Sequence, residues 1–518
     1  MKNIIYINCP GNPWINVAKV LKEKYDYQPV YWIGSPEEDP SLLNVTKEFP
    51  DVIFHSSIDA WKGRFPKKIQ DRAVESYIDV DFLKRHAHEE LQAVKMMDRM
   101  DQDQHSFNFM ERQRHFRNMI RSMASLIEIV KPDLVINSAI PHRLYDYVLF
   151  WLCKEYKIPY LTIVHTQFFG RFFFTKNCFY SIEDRFVSEW NKYKNVDNIR
   201  DFVPQDILDR FDAVKLDYMK AAPSYMETDA VRQKNSEKPF FMARLTLHKF
   251  FTKYRPYILG KKAGPSIISH CAYDKKANKK YEESEGNIYQ HEIMLRKANR
   301  IKKRLKKVYD SLCTLPVKGE EYVILYLHYQ PEATTCPGGD IYVDQRLCVD
   351  TLLNNLPSSC KVYVREHPHQ FIKYRIGHTA KMCDLYEDLA KIARVRLIST
   401  EIDSFELMKN AKAVCTVTGT VGWEAMVRQK PVVSFGISWY ENYSEGVLRI
   451  KDSKSAGMIN QFISTYKYDE HSLLAYLASV GDKTTNAYYW LGYKGKINIS
   501  EEECVNNIVD AIKEQLDL

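Results

Sequence analysis

The chain alternates between short apolar runs and longer amphipathic stretches, and the changes of period mark its elements. Residues 3–7, "NIIYI", are a continuous apolar run of strand length, followed by the turn-forming "NCPGNPW", an amphipathic stretch over residues 15–24, and a second apolar run, "PVYWIG". Strand, helix and strand in that order predict the opening of a Rossmann-like domain. Later, "KPDLVINSAIPH" predicts a buried strand ending in a turn. "RLYDYVLFWLCKEYKI" then has helical length and "PYLTIVHT" returns as a strand, which makes a crossover unit suited to a parallel sheet. Residues 80–130 predict long polar helices inserted as a cover over that sheet.

A second alternating series begins at "EYVILYLHY". It runs through a helix over residues 344–355, the strand "CKVYVREHP", a helix over 380–392, a strand near "VRLIST" and a short helix at "DSFELMKNA". The strand "AVCTVT", the helix "GWEAMVRQK" and the strand "PVVSFG" complete it. The expectation is an α/β protein with two Rossmann-like domains facing across a cleft. Residues 1–235 form the first domain with its helical insertion, 236–315 a basic helical linker, 316–470 the second domain, and 471–518 a helical tail packing back towards the first. A chain of 518 residues exceeds what one hydrophobic core usually supports, which favours two domains.

Composition narrows the setting more than the function. With 45% hydrophobic and 27% charged residues this is ordinary globular material, and no apolar run approaches the roughly 20 residues needed to cross a bilayer. The amino-terminal pattern lacks a secretory signal, so a cytoplasmic protein is expected. Eleven cysteines include no C-x-x-C pair, which argues against a zinc ribbon or a disulfide framework. His86 and His88 with Glu90 read as an exposed helix without a complete ligand set, so no metal is expected, and no cofactor beyond a substrate nucleotide. The net charge of +8 matters mainly through its location. Lysine and arginine gather between Lys261 and Lys307, ending in "LRKANRIKKRLKK". That run is either a solvated helix or a surface for anionic lipid, peripheral at the inner face of the membrane; no nucleic-acid module accompanies it.

Three segments of the second domain carry the candidate chemistry. In "VTGTVGWEAM" a strand ends at a Thr-Gly-Thr turn and a helix begins, a place where backbone amides and the helix dipole attract phosphate. Thr418 and Thr420 add hydroxyls, Gly419 and Gly422 permit close approach, and Glu424 is expected on the first turn within reach of a ribose hydroxyl. The plainer alternative is a capped helix start. In "KVYVREHPHQF" the strand end carries Arg365, Glu366, His367 and Pro368, where ligands of open α/β sheets collect. In "LHYQPEATTCPGGD" the end of the preceding strand carries Gln330, Glu332 and Thr334. Glu332 is a candidate base or nucleophile at an anomeric carbon, or a residue of the turn. In the first domain, "AIPHRLYDY" places His142 and Asp146 at a strand-to-helix junction, where they can bind or deprotonate an acceptor.

Together, "QPEAT", "REHP" and "TGTVGWEAMVRQKPVVSFG" resemble the capsule polysaccharide biosynthesis proteins, a group that includes bacterial Kdo transferases, and more distantly bacterial sialyltransferases. The resemblance covers residues 320–445 and departs at Glu332, where the group more often has aspartate. It implies a GT-B glycosyltransferase of surface-polysaccharide synthesis, metal-independent, using a CMP-activated acidic sugar such as CMP-Kdo and a glycan or glycolipid acceptor. It implies catalytic roles for Glu332 and His367 and donor contacts from the remaining residues of the three motifs, while the catalytic role expected of His142 rests on its place at the strand-to-helix junction. Glycerophosphotransferases that use CDP-glycerol share the His-Pro strand end and the hydroxyl-rich helix start, and UDP-sugar epimerases share the outline of the fold. Both remain alternatives.

Overall fold

The computed structural model describes residues 1–35, 39–75, 78–101, 107–179, 181–216, 288–373 and 375–516, with a few short pieces between 247 and 280. Most of the expected linker, including most of the basic stretch from Lys261 to 287, lies outside the described residues. The chain separates into two compact units.

The first unit comprises Met1–Met97, Asn108–Ile207 and Glu470–Leu518. Its sheet contains β1 (Lys2–Ile7), β2 (Tyr27–Gly34), β3 (Ile53–Ser56), β4 (Leu134–Asn137), β5 (Tyr160–His165) and β6 (Arg171–Thr175). The spatial order is β6-β5-β4-β1-β2-β3, with a two-residue strand, Thr485–Asn486, outside β6. β1 to β5 run parallel, whereas β6 and Thr485–Asn486 are antiparallel additions. Helix α1 (Gly11–Tyr25) buries Trp14, Ile15, Val17, Ala18 and Leu21, a spacing that follows one helical face. Helix α2 (Phe109–Val130) starts at a capping box made by Asn108 and Glu111, and its apolar stripe runs from Phe116 to Val130. Helix α3 (Leu144–Glu155) is buried along most of its length, consistent with its continuous apolar sequence.

The final segment completes this unit. Trp14 donates its indole N–H to the Tyr489 carbonyl at 3.0 Å, and Trp190 donates to the Ser472 carbonyl at 3.0 Å. Ile508 and Ile512, from the helix Glu501–Leu516, join the core formed by β1, β2 and α1.

The second unit, Asp98–Phe107 with Leu208–Asp469, holds a six-stranded parallel sheet. In chain order its elements are α4 (Ile288–Leu312), β7 (Tyr322–Tyr326), α5 (Arg346–Asn355), β8 (Lys361–Arg365), α6 (Cys383–Ala390) and β9 (Val395–Ile398). They continue with α7 (Ser404–Asn410), β10 (Val414–Thr416), α8 (Thr420–Val427), β11 (Val432–Ser434) and β12 (Val447–Arg449). The strand order is β9-β8-β7-β10-β11-β12, every pairing parallel. Numbered from its own first strand this is 3-2-1-4-5-6, the doubly wound order in which the direction of winding reverses between the first and fourth strands. β7 is buried at all five positions because helices cover both faces of a parallel sheet.

Most expected elements are present. β3, β6 and β12 are additional strands, and α8 begins at Thr420, earlier than the pattern suggests. Glu424 therefore occupies the second turn of α8, not the first.

Candidate functional site

The reversal between β7 and β10 is where an open α/β sheet leaves a crevice outside its carboxyl ends, and all three candidate segments of the second unit leave the sheet there or one strand away. What holds them is a set of buried polar side chains. Glu366, at the exit of β8, is 1% exposed and turned inward. Each of its carboxylate oxygens receives Lys381 Nζ at 2.8 Å, and the Tyr386 hydroxyl donates to it at 2.5 Å. The amide of His367 donates to the same carboxylate at 2.6 Å. Lys381 Nζ also donates to the His328 carbonyl at 2.9 Å, so one ammonium ties the end of β8 to the loop after β7. Burial pulls the Lys381 pKa down while the Glu366 charge and hydrogen bonds push it up. Glu366 thus builds the site from beneath.

Its neighbours divide the remaining work. Arg365 donates from Nη2 to the carbonyls of Thr400 and Ile402, at 2.9 and 3.2 Å, which fixes the loop after β9. His367 is partly exposed, and its Nδ1 accepts the amide of His369 at 3.1 Å at the start of the single 3₁₀ turn opened by Pro368. A ring nitrogen that accepts an amide proton carries none itself, so the proton of the neutral ring sits on Nε2. Burial first, and then the neighbouring His369, His328, Lys381 and Arg365, hold the pKa of His367 well below its ordinary value. His367 is a neutral donor at Nε2.

The loop after β7 is braced from several sides. The Gln330 side chain is buried and donates to the Val343 carbonyl at 2.6 Å, while its backbone exchanges hydrogen bonds with the Gln370 amide at 2.9 and 3.1 Å. Glu332 is exposed and accepts from the Thr334 hydroxyl at 2.9 Å. Although the side chain itself reaches solvent, crowding by surrounding protein raises its pKa. The Thr334 hydroxyl and the guanidiniums of Arg375 and Arg99 act in the opposite direction. Arg99 also donates to the Cys336 carbonyl at 2.7 Å.

The Thr-Gly-Thr turn after β10 is held largely by a residue that the motif reading passed over. His328, buried at the end of β7, receives the amide of Thr418 on Nε2 at 3.1 Å and stands 3.0 Å from Thr416 Oγ1. Burial depresses its pKa to about 3, so it is neutral. The Gly419 amide donates to Thr416 Oγ1 at 3.1 Å, and the Thr418 hydroxyl to the Thr334 carbonyl at 3.0 Å. Thr418 and Gly419 therefore use their donors to shape the turn. No side chain caps α8, which leaves the amides of Thr420 and Val421 as the donors at its positive end. A side chain at Gly419 would meet Thr416 Oγ1 at 2.6 Å, and one at Gly422 would collide with the Tyr440 hydroxyl, which donates to the Gly419 carbonyl at 2.6 Å. Glu424 is 6% exposed, with Thr420 Oγ1 3.4 Å from its carboxylate. Burial raises its pKa to about 7 against the opposing charges of Arg428 and Arg210. Glu424 is thus buried on the second turn of α8, with the Thr420 hydroxyl beside its carboxylate.

The first unit has a polar cluster at its own reversal, between β1 and β4. Asp146 is fully buried, not a surface carboxylate, and accepts the amides of His142 and Arg143 at 3.1 and 2.7 Å. Burial raises its pKa to about 7. Its role is to hold the start of α3 and the turn that carries His142. The Tyr145 hydroxyl donates to Asn8 Oδ1 at 2.8 Å, and the Asn137 amide donates to the Tyr160 hydroxyl at 3.0 Å. His142 Nδ1 lies 2.7 Å from the Ile140 carbonyl. A carbonyl can only accept, so Nδ1 carries the proton and Nε2 the lone pair. His142 and His367 are thus set in opposite tautomers. Among the described residues no group of three or more metal-ligating side chains stands together; His86 is engaged by Glu155 at 2.9 Å.

The second unit is thus a doubly wound α/β unit of 3-2-1-4-5-6 order, with an uncapped helix start and a proton-bearing histidine at the carboxyl edge of its sheet. Residues 288–449 match the family described as "Capsule polysaccharide biosynthesis protein". Two curated relatives are capsule polysaccharide modification proteins LipA of Neisseria meningitidis. The serogroup B protein is 26% identical over 164 residues, 32% of this chain and 21% of the relative. The serogroup A protein is 27% identical over 128 residues, 25% of this chain and 17% of the relative. The matched region spans about a fifth of those relatives. Among solved structures, the KpsC beta Kdo 2,4 transferase of Thermosulfurimonas dismutans is 13% identical, with a TM-score of 0.29, covering 73% of this chain and 87% of the other. The UDP-GlcNAc 2-epimerase of Methanocaldococcus jannaschii is 11% identical, with a TM-score of 0.24, covering 91% and 95%.

Two outcomes follow from the buried charges. Lys381→Met leaves Glu366 charged and alone in the interior, and should cost about 3–5 kcal/mol in urea unfolding of the second unit. The double variant with Glu366→Leu should recover much of that loss. Equal loss in the single and double variants would show that the pair is not the source. Glu424 has a folded-state pKa of about 7 against an ordinary 4.5, so the folded protein binds its proton more tightly. Its contribution is fully present below about 4.5 and declines as pH rises to about 7. Glu424→Gln should therefore gain stability relative to the wild type across that window, by roughly 1–3 kcal/mol, at 1.36 kcal/mol per pKa unit. A stability difference that stays flat from pH 4.5 to 8 would contradict this.

Proposed function

We propose that the protein is a glycosyltransferase of surface-polysaccharide synthesis, with the nucleotide-sugar donor on the second unit and the acceptor on the first. The observation that carries the reading is the uncapped start of α8 at the β7/β10 reversal, one strand from a histidine whose proton is on Nε2. The family match over residues 288–449 supports a sugar-polymer substrate in preference to other nucleotide chemistry.

In this reading the donor phosphate lies at the amides of Thr420 and Val421, with His367 Nε2–H donating to the oxygen that departs. The bond between the anomeric carbon and that oxygen breaks, its electron pair stays with the phosphate, and the acceptor oxygen bonds to the carbon. The acceptor proton passes to a base, a part for which the sequence puts His142 forward. Stabilising the departing charge by fixed donors is commonly the largest catalytic contribution. Gln330, Arg365, Glu366, Pro368, Thr418 and Gly419 support the reaction by shaping the loops. Glu332 stays assigned to the reacting carbon, and the product decides its part. Inversion makes His142 the base in a single displacement; retention makes Glu332 a nucleophile that forms a glycosyl-enzyme. A CMP-activated acidic sugar is the donor favoured by the sequence motifs, with CDP-glycerol and UDP-sugar as the competing donors.

The carboxyl half of the basic stretch adds a membrane surface to this reading. On α4, Arg296, Lys297, Arg300, Lys303, Arg304 and Lys307 are all exposed. Anionic lipid contributes about 1 kcal/mol for each such residue held near the surface. No described helix is long and apolar enough to cross a membrane.

CMP should raise the unfolding temperature more than UDP or GDP at equal concentration, since a ligand at about 100 times its Kd adds ~2.7 kcal/mol to the folded state. His367→Ala and His142→Ala should each lower transfer by roughly 10²–10⁴-fold, with only His367→Ala also changing nucleotide protection. Stronger protection by UDP, or full activity in both variants, would send the reading to another donor or another site. Sedimentation with vesicles containing phosphatidylglycerol should occur at low salt and fade above physiological salt, where the Debye length falls below about 8 Å. Reversing Arg300, Lys303 and Arg304 to glutamate should abolish it; binding indifferent to salt and to these changes would leave α4 out of any membrane contact.

A further inference from the structure

Helix α4 reads from sequence as a charge run, yet one of its lysines is not on the surface. Ala298, Lys302, Leu305 and Tyr309 form its buried stripe, at the spacing of one helical face, and Lys302 is 2% exposed. Its ammonium has three N–H donors and meets three backbone carbonyls: Ile372 at 2.7 Å, Lys373 at 2.5 Å and Arg375 at 2.6 Å. Burial lowers its pKa to about 7, and a carbonyl at every N–H favours the charged form in return. Those carbonyls belong to the loop that follows the His-Pro turn. Beyond them, the Ile376 amide donates to the Tyr329 hydroxyl at 3.0 Å, and the Gly377 carbonyl receives the Gln370 amide at 2.7 Å. Arg375 stands 6.0 Å from the centre of the Tyr329 ring, and its charge acts on the carboxyl of Glu332.

We propose that Lys302 is a positioning residue of the donor site: by gathering the carbonyls of Ile372, Lys373 and Arg375 on one buried ammonium, it sets the loop that brings the Arg375 guanidinium over the ring of Tyr329, next to Gln330 at the start of the loop after β7. Carbonyl oxygens drawn to one point repel one another, so without the cation the loop has no reason to keep that turn. A helix outside the sheet thereby controls a cation of the site. This rests on the donor-site reading above, and the test separates the two.

The experiment compares the wild type with Lys302→Met, Lys302→Arg and Arg375→Ala, reading amide hydrogen exchange over residues 370–379 and calorimetric binding of CMP, CDP and UDP. Lys302→Met should speed exchange across 372–377 while the amides of β7 and β8 stay protected, and should weaken nucleotide binding about tenfold. Lys302→Arg, which keeps a cation, should restore most of both, and Arg375→Ala should reproduce the binding loss without the general increase in exchange. Exchange unchanged in Lys302→Met overturns the proposal, as does faster exchange with nucleotide binding intact. If Lys302→Met does not fold, Lys302→Gln, with two donors for three carbonyls, gives the same comparison. If the wild type binds none of the nucleotides, the donor-site reading fails, and the exchange data alone decide whether Lys302 holds the loop.

Discussion

The arrangement of the second unit rests on the ion pair between Glu366 and Lys381, both removed from water. Withdrawing two charges from solvent costs several kcal/mol for each ion, and attraction offsets this only if the remaining lone pairs and protons find partners. Here they do: the carboxylate also receives Tyr386 and the His367 amide, and the ammonium also reaches the His328 carbonyl. The pair consequently fixes two adjacent strand ends, and His328 passes that order on to the Thr-Gly-Thr turn through the Thr418 amide. A hydrophobic pair of equal volume would fill the space without specifying these positions.

Tautomers follow from the same backbone hydrogen bonds. Histidine at neutral pH has one donor and one acceptor nitrogen, and whichever nitrogen the backbone engages decides what the other offers. An amide on Nδ1 of His367 makes Nε2 a donor, whereas a carbonyl beside Nδ1 of His142 makes Nε2 an acceptor. The turns after β8 and β4 thus assign opposite chemistry to two side chains of one kind. The proposed division into a leaving-group donor and an acceptor base depends on that assignment more than on either pKa.

Sequence pattern reached the candidate segments but not the duties of their residues. Arg365, Glu366 and His367 are consecutive, and alternation along a strand sets the middle one opposite its neighbours without saying which side is buried. Lys381 and Lys302 sit far along the chain from the carbonyls they hold. Only the spacing of Lys302 with Ala298, Leu305 and Tyr309 offered a signal. β6 and β12 escape the sequence pattern because "RFFFT" and "VLR" are too short to show a period, and neighbouring strands supply their hydrogen bonds. Glu424 was misplaced by a turn because the start of α8 depends on where β10 ends.

By itself the sequence determined the α/β class, the two series of strands and helices, and the segments from which a site can be built. These depend on local periodicity and on turn residues, which act over a few positions. The tertiary structure decided the 3-2-1-4-5-6 order, the inward turn of Glu366 and the burial of His328 beneath the Thr-Gly-Thr turn. Each of these depends on desolvation and on hydrogen-bond partners tens to hundreds of residues away. Burial sets their cost, and burial exists only once the chain has folded.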